Sequence, residues 1–528
     1  GILRGTVQDT TGSIVVGATV VVKSNKGVHR SSVTGEDGSI RMPRLPVGNY
    51  TVTITHEGHE LADQTVSIGL GDGAPVTFTM TIPGSEVDEI VVSGTSVGNW
   101  DFNSTTTGIS VNVDDLFKKT PIARDITAVA LLAPGSAQGD SAFGKLASIG
   151  GSSVAENVYY VNGLNVTNFR NFTGGSTIPF EFYETVDVKT GGFQAEYGRS
   201  TGGAIVTTTK SGSNDFHFGV NYIWEPDAWG QDRPATHYDA NQLDTRSRNE
   251  FNVWASGAIL EDKLFFYGLY NPRKIVQSDA NSGGQNVTVR DDPFFGAKID
   301  FIPFEGHHFE YTYFQDNQGA TTKTYDINWP TLGAGQSGEA RASLINDVEQ
   351  SDVGALVGTT IGKNGGENHI FKYTGILTDW FTISAMYGSN EFNRTTGSDK
   401  DGNPLIIDTR TGVTRVTGDW VSSVVEEGSD RREAYRVDAD LYFNLAGEHH
   451  IRMGWDKEDL NAINYSKYSG GIYYRYGTYD GTESHFSNAV ALGGVVGDEW
   501  VRVRNYVNGG EIQTVQTAIY IQDAWQVS

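Results

Sequence analysis

From Asp215 onward, apolar and polar residues alternate with period two over long stretches. Phe216, Phe218, Val220, Tyr222 and Trp224 interleave with His217, Gly219 and Asn221. Phe295, Ala297, Ile299 and Phe301 alternate with Lys298 and Asp300, and Phe309, Tyr311 and Tyr313 with Glu310 and Thr312. Tyr435, Val437, Ala439, Leu441 and Phe443 alternate with Arg436, Asp438, Asp440, Tyr442 and Asn444. A period of two places one set on each face of a β-strand. A sandwich would turn the charged face to water. A membrane barrel turns the apolar face to lipid, and the many Tyr, Phe and Trp near strand ends favour that arrangement. Short turns at Glu261-Asp262-Lys263, Glu305-Gly306-His307, Thr378-Asp379 and Gly447-Glu448-His449 separate long polar stretches at 225–247, 274–290, 318–366, 394–430 and 464–509. Short on one side and long on the other is the asymmetry of outer-membrane barrels. About ten strands are predicted before Ser528. A part-barrel leaves costly open edges in lipid, so the sequence is expected to be part of a longer barrel.

Upstream the pattern is different. Residues 1–82 read as about seven short strands between Gly-rich turns, a small sandwich. Ile14–Val22, Tyr50–Thr55 and Val76–Ile82 are the clearest, with Tyr50, Val52 and Ile54 on one face. Residues 83–95 are a linker after the breaker Pro83-Gly84-Ser85. Its apolar run Ile90-Val91-Val92 is either a free strand able to add to another sheet's edge or a buried strand of the next domain. Residues 96–211 read as a mixed α/β domain. A helix is predicted over Pro121–Leu132, stopped by Pro134-Gly135, and strands over Val158–Val161, Thr185–Lys189 and Ala204–Thr209.

Composition narrows the function. Hydrophobic residues make up 38% and no run of 18 apolar residues exists, which leaves strands as the only means of crossing a bilayer. The net charge of -25 argues against nucleic acid. With no cysteine, thiolate catalysis, disulfides and Cys-based zinc sites are excluded. His56-Glu57-Gly58-His59-Glu60 has its histidines three apart rather than the four of a zinc-protease helix, so it reads as a turn. His307-His308 and His449-His450 also read as turn residues. Asp399-Lys400-Asp401-Gly402-Asn403 resembles the start of a calcium loop but lacks the later ligands, and a plain turn is expected. No catalytic residues, metal ligands or cofactor are expected.

Five groups of residues carry a resemblance. Gly5-Thr6-Val7, Asp9, Gly12, Gly17-Ala18, Asp37-Gly38 and the corner Leu45-Pro46-Val47-Gly48-Asn49-Tyr50 resemble a carboxypeptidase regulatory-like domain, which implies a transthyretin- or Ig-like sandwich without catalysis. Asp88-Glu89-Ile90-Val91-Val92-Ser93-Gly94-Thr95 resembles the TonB box of outer-membrane receptors. Asn157-Val158-Tyr159-Tyr160-Val161-Asn162-Gly163 looks like the receptor plug's strand-turn element, with Asn162 for the usual Asp; Glu184–Gly191 looks loosely like a second plug strand. Glu196-Tyr197-Gly198-Arg199-Ser200-Thr201-Gly202-Gly203-Ala204-Ile205-Val206-Thr207-Thr208-Thr209-Lys210-Ser211-Gly212 resembles the plug-to-barrel exit. The implied architecture is mainly β: sandwich (1–82), linker with TonB box (83–95), mixed α/β plug (96–211) and the first part, about ten strands, of a 22-stranded antiparallel transmembrane barrel with long extracellular loops (212–528).

The resemblance implies a TonB-dependent outer-membrane transporter with its sandwich in the periplasm. Its implied partners are the TonB C-terminal domain of the TonB-ExbB-ExbD system, outer-membrane lipid and an extracellular ligand such as a peptide, protein or oligosaccharide. Asp88, Glu89, Ile90, Val91, Val92, Ser93 and Gly94 would contact TonB. Arg170, Asn171 and Phe172, in the loop Leu164–Ile178, are candidates for ligand contact, against a simple solvated loop. The exit sequence lies nearer Oar-like members than SusC-like ones, which resemble Tyr-Gly-x-Arg-Gly-Ala-Asn-Gly-Val there and work under a surface lipoprotein. Siderophore receptors usually lack the sandwich. Secretion by an Oar-like protein and an acidic-loop adhesin are the competing readings.

Overall fold

The computed structural model describes residues 1–81, 106–481 and 491–527, apart from 44, 47, 60–61, 69–75, 144–145, 232, 237–238, 282–283, 329–350, 411–414 and 418–423. No described helix is long and apolar enough to cross a membrane.

The first unit is a two-layer sandwich. One sheet has Leu3–Asp9 at its centre, between antiparallel Ser39–Met42 and parallel Val76–Met80. The other runs His29–Val33, Thr19–Lys23, Gly48–Thr55, Ala62–Ile68. Tyr50, Val52 and Ile54 are buried between the layers, as their spacing predicts. The Tyr50 hydroxyl donates to the Pro46 carbonyl at 2.7 Å, tying the corner to the strand that follows it. The run Ile14–Val22 is not one strand. Gly17 takes a positive φ of 75° and the strand starts at Thr19, because the chain must turn there to change sheets. His56 and Gly58 form the turn expected of them: His59 N–H donates to the His56 carbonyl and Gly58 has φ 83°.

The second unit is a five-stranded mixed sheet in the order Leu164–Asn165, Val158–Val161, Ala204–Thr209, Tyr183–Gly191, Thr107–Asn112. Val158–Val161 and Ala204–Thr209 are parallel and the rest antiparallel. The helix expected over Pro121–Leu132 is shorter, Ile126–Ala130. Asp125, rather than Pro121, sets its start, since the Asp125 carboxylate caps Ala128 N–H at 2.8 Å. A second helix, Val113–Lys119, follows the first strand and is capped by Asn112.

Around this unit curves one large antiparallel meander. His217–Glu225 pairs with Thr245–Leu260, which pairs with Leu264–Asn271 and its continuation Arg273–Asn281. Next come Gly284–Arg290 with Phe294–Phe301, then His307–Gln315 with Ala320–Asn328, then Asp352–Gly365 with Glu367–Thr378. Phe381–Ser398, Val424–Asn444, Glu448–Thr478 and Glu499–Gln526 complete it. Four of these strands are briefly interrupted, and joining their halves gives ten. The interruptions fall where Pro272 and Pro293 lack an N–H and where Asp316 and Gly366 leave the ladder. The short turns lie at one end, with Asp262 (φ 61°), Gly306 (φ 82°) and Ala446 (φ 54°) making the tight reversals.

At the other end the structure corrects an expectation. Much of the described part of the long polar stretches is strand: 274–290 is a hairpin, and Glu448–Thr478 runs 31 residues, whereas 226–244 holds only short 3-10 turns. Thr, Asn, Ser and Tyr there carry the ladder beyond the greasy band, so polarity alone does not mark a loop.

The meander turns its apolar residues outward. Phe218, Val220, Phe371, Val437 and Ile519 are exposed, whereas Asn252, Asn271, Thr312, Arg436 and Asp440 on the concave face are buried. One apolar cluster joins the concave face to the plug: Phe182 contributes with Tyr267, Phe294 and Phe314, its ring centroid 5.7–6.3 Å from theirs. Full burial of such a ring is worth about 2–3 kcal/mol.

Candidate functional site at the plug and barrel interface

The exit segment between Gly191 and Ala204 meets the concave wall through charge. Glu196 accepts from Arg436 and, at 2.6 Å, from Arg452. Arg436 also pairs with Asp438 at 3.0 Å, and Arg452 with Asp440 at 3.2 Å. The Tyr520 hydroxyl accepts from Arg436 at 2.8 Å and donates to Asp438. Three residues on, Arg199 bridges Asp456 and Glu458, each at 2.9 Å. Glu458 reaches on to Arg432 at 3.3 Å, and Arg432 donates to the Asn165 carbonyl at 2.6 Å. Strands from residue 424 to residue 526 thus hold two charges of the plug exit, Glu196 in a nearly dry pocket and Arg199 in a partly exposed one. Buried pairs of this kind lose much when one partner goes, because the other charge is stranded.

Backbone chemistry explains the rest of the motif. A Cβ on Gly203 would lie 2.5 Å from Ile149 Cδ1, and one on Gly202 2.5 Å from Ser152 Oγ. The glycine pair therefore lets the exit lie flat on the plug. Asn157 fastens it there, its Oδ1 accepting from Gly203 N–H at 2.9 Å. Asn162 and Gly163 form the predicted turn with φ 49° and 96°. The Asn162 amide donates to Thr209 Oγ1 at 2.7 Å and to Thr312 Oγ1 at 2.9 Å while accepting from Thr209 N–H, so the amide serves as both donor and acceptor at a plug-to-wall contact.

Asp187 is the odd group inside the plug. It sits 2% exposed on Tyr183–Gly191, facing Ser110 and Lys189 without a well-formed hydrogen bond. Burial pushes its carboxyl up to about 6, opposed by Lys189.

Arg170, Asn171 and Phe172 lie together in the loop on the long-strand side. They do different things. The Arg170 guanidinium pairs with Asp430 and donates to the Ile463 carbonyl at 3.0 Å, which ties the loop to the wall. Asn171 caps Thr173 N–H at 3.1 Å and lines a cavity of about 340 Å³ between loop and wall. Phe172 is exposed with φ 59°. The run Asp88–Gly94 lies outside the described residues. Asp399–Asn403 forms a turn closed by its own carboxylates: Asp401 accepts from Ser398 N–H and Asp399 from Thr359 N–H, both at 2.8 Å.

At the short-turn end the sandwich meets plug and wall. Lys26 pairs with Glu184 at 3.0 Å, Arg41 with Glu448 at 3.3 Å, and Asn214 N–H donates to the Asn25 carbonyl at 2.8 Å. Between these bodies lies a cavity of about 870 Å³. On its wall Lys298 pairs with Glu310 at 2.9 Å, and His308 Nε2 lies 3.0 Å from Asp300. Asp300, His308 and Glu310 are close enough to share a metal ion, but Lys298 and Lys372 already occupy their carboxylates.

A wall with an apolar outside and a charged inside, wrapped on a mixed α/β unit and preceded by a sandwich, has the architecture of a plugged β-barrel. Residues 2–81 match the carboxypeptidase regulatory-like domain, and residues 101–205 the TonB-dependent receptor plug domain. The chain is 30% identical over 304 residues to the TonB-dependent transporter Oar of Myxococcus xanthus, covering 52% of this chain and 28% of that protein. It is 26% identical over 245 residues to the TonB-dependent receptor SusC of Bacteroides thetaiotaomicron, covering 42% and 22%. The matched stretches thus span under a third of these relatives. Among solved structures, the outer membrane transporter YddB from Escherichia coli has the same fold, with TM-score 0.53 at 12% identity over 79% of this chain and 55% of that one. The chain therefore carries a regulatory-like domain and a TonB-dependent receptor plug, and its likeness to Oar exceeds that to SusC.

Proposed function

We propose that this chain is the plug-bearing part of an Oar-like transporter that moves a ligand across the outer membrane by energy-coupled remodelling of the plug. The observation that supports this most is the seam at Glu196 and Arg199. It holds the plug firmly at rest, yet by charge pairs that water can replace when the exit is pulled. A permanent scaffold would be served as well by an apolar seam.

On this reading the short-turn end is periplasmic, with the sandwich below it, and the long hairpins face outward. The proposed divisions are 1–82, 83–95, 96–211 and 212–528. Ligand binding at the outer face of the plug makes Asp88–Gly94 available, the TonB C-terminal domain adds to it as a strand, and force reaches the plug along the linker. The reading needs no covalent chemistry.

The test is binding of the TonB C-terminal domain to a peptide spanning Pro83–Gly98. Native peptide should bind, and Val91→Pro, which removes a main-chain donor, should not. If a TonB domain proven active on another receptor ignores the native peptide, the energy-coupled reading fails and an adhesin becomes the better one.

A further inference from the structure

The sandwich is attached to the rest of the chain in a different way from the plug. Plug and wall share one buried apolar cluster, whereas the sandwich keeps its own, and no such cluster among the described residues joins the two. What holds the sandwich is polar. Lys26 grips Glu184 of the plug through contacts of 3.0 and 3.1 Å. Arg41 pairs with Glu448 of a wall turn at 3.3 Å and lies over the Tyr442 ring. The charges of Glu305 and Asp379, in two further wall turns, reach Arg30. The Asn25 carbonyl accepts from Asn214 N–H at 2.8 Å. Two residues on, Gly27 (φ 74°) lies flush against the first wall turn, where a Cβ would stand 2.4 Å from the Asp262 carbonyl oxygen.

Charge in the sandwich is sorted to suit this seat. By register Arg4 lies beside Arg41, Arg30 beside Val22 and Lys23 beside His29, so these cations and Lys26 crowd the end that meets the wall. Asp9, Glu36, Asp37 and Glu57 fall at the opposite end, with Asp63 midway. Such a contact is specific yet easily parted. Domains move against one another unless a large apolar interface joins them, and partly exposed ion pairs weaken with salt. Above the seat lies the cavity of about 870 Å³, lined by Lys26 and Pro46 of the sandwich, Thr208 of the plug, and Lys298 and Thr374 of the wall.

We propose that the sandwich is a detachable stopper on the short-turn mouth, held by its basic end, and that it uncovers the chamber beneath the plug when it parts from the wall. The inference rests on the transport reading for what passes: a ligand that clears the plug enters this chamber and goes on only after the stopper has left. In sequence the linker 83–95 joins sandwich to plug, so a pull on it loads both attachments. The one without an apolar cluster yields first.

The chain has no native cysteine, so one reporter thiol suffices. Thr374→Cys in the full-length protein in detergent is labelled with N-ethylmaleimide and with a bulky polyethylene-glycol maleimide, and the ratio of the two rates is read. The small reagent corrects for the reactivity of the thiol itself. In Lys26→Glu/Arg41→Glu the bulky reagent should gain about tenfold or more on the small one relative to the native seat. Molar potassium chloride should move the native protein toward the variant. Adding Glu448→Arg to Arg41→Glu remakes that pair with its signs exchanged and should restore protection, which it could not do for a sandwich that had merely misfolded. Equal labelling of native and charge-reversed protein overturns the proposal. So does an exchanged pair that leaves the thiol as open as Arg41→Glu alone. A TonB domain that ignores the Pro83–Gly98 peptide would defeat the transport reading and leave this labelling result standing, so the two failures are distinct.

Discussion

Glu196→Gln removes one charge and no volume from the seam between plug exit and wall. The carboxylate accepts from two guanidinium groups, and the three side chains are only 8–14% exposed, so solvent screening is slight. Hydrogen bonds to charged groups contribute about 1.5–3 kcal/mol each. Arg436 and Arg452 keep Asp438 and Asp440 as partners, which recovers part of the loss. A net cost of about 2–3 kcal/mol to the seam is expected, a factor of roughly 30–150 in its opening equilibrium. Hydrogen exchange read by mass spectrometry reports that directly, because the cost falls on local opening. Amides of 192–203 should exchange faster by that factor while those of Gly48–Thr55 in the sandwich stay as they were. Unchanged protection at 192–203 would refute the claim that the seam holds the plug. Equal loss in the sandwich would mean that the variant is globally damaged and that the local argument is wrong.

Two further outcomes follow from the plug interior. Asp187 is raised in the folded plug to about 6 from an ordinary 3.8, so its neutral form is favoured by folding. Plug stability is then greatest below pH 4 as far as this group is concerned and falls by about 3 kcal/mol as pH rises through 6. Asp187→Asn should flatten that dependence in urea titrations at pH 5 and pH 7.5 and stabilise the plug at the higher pH; an unchanged slope would contradict it. Phe182→Ala should cost about 3–5 kcal/mol, because the ring joins the plug to three aromatic residues of the wall, and thermal melting with near-ultraviolet dichroism should show plug and wall loosening together.

The fold was legible where a pattern is local. Alternation at 216–224, 295–301 and 435–443 shows which face each side chain takes, and the structure puts Val437 outside and Arg436, Asp438 and Asp440 inside. Turn chemistry revealed Asn162-Gly163 and the short barrel turns. The helix at Pro121 was misplaced because a proline signals an opening turn less strongly than a carboxylate that caps one, as Asp125 does. The outer hairpins read as loops in the sequence because polar strands and polar loops share a composition. The site was half visible. Glu196, Arg199, Gly202 and Gly203 stood out as a motif, but their partners Arg436, Arg452, Asp456 and Glu458 lie some 240 residues away or more. They read only as members of a polar face. Arg170 is the loop's candidate for a ligand in the sequence, yet in the structure its guanidinium is spent on Asp430, 260 residues away, which no local signal marks.

The strands that rise past the membrane have a consequence for the order of events. Val424–Asn444 has 21 residues and Glu448–Thr478 has 31, while about 9–11 residues suffice to cross a bilayer. At about 3.3 Å per residue, even the shorter of the two carries some 30 Å of wall beyond the lipid. A visitor to the tips is therefore still far from the plug. On the transport reading, meeting the protein and being admitted by it become separate stations along a rigid chute, so that affinity at the rim would set the catchment while the chamber above the plug would keep the veto.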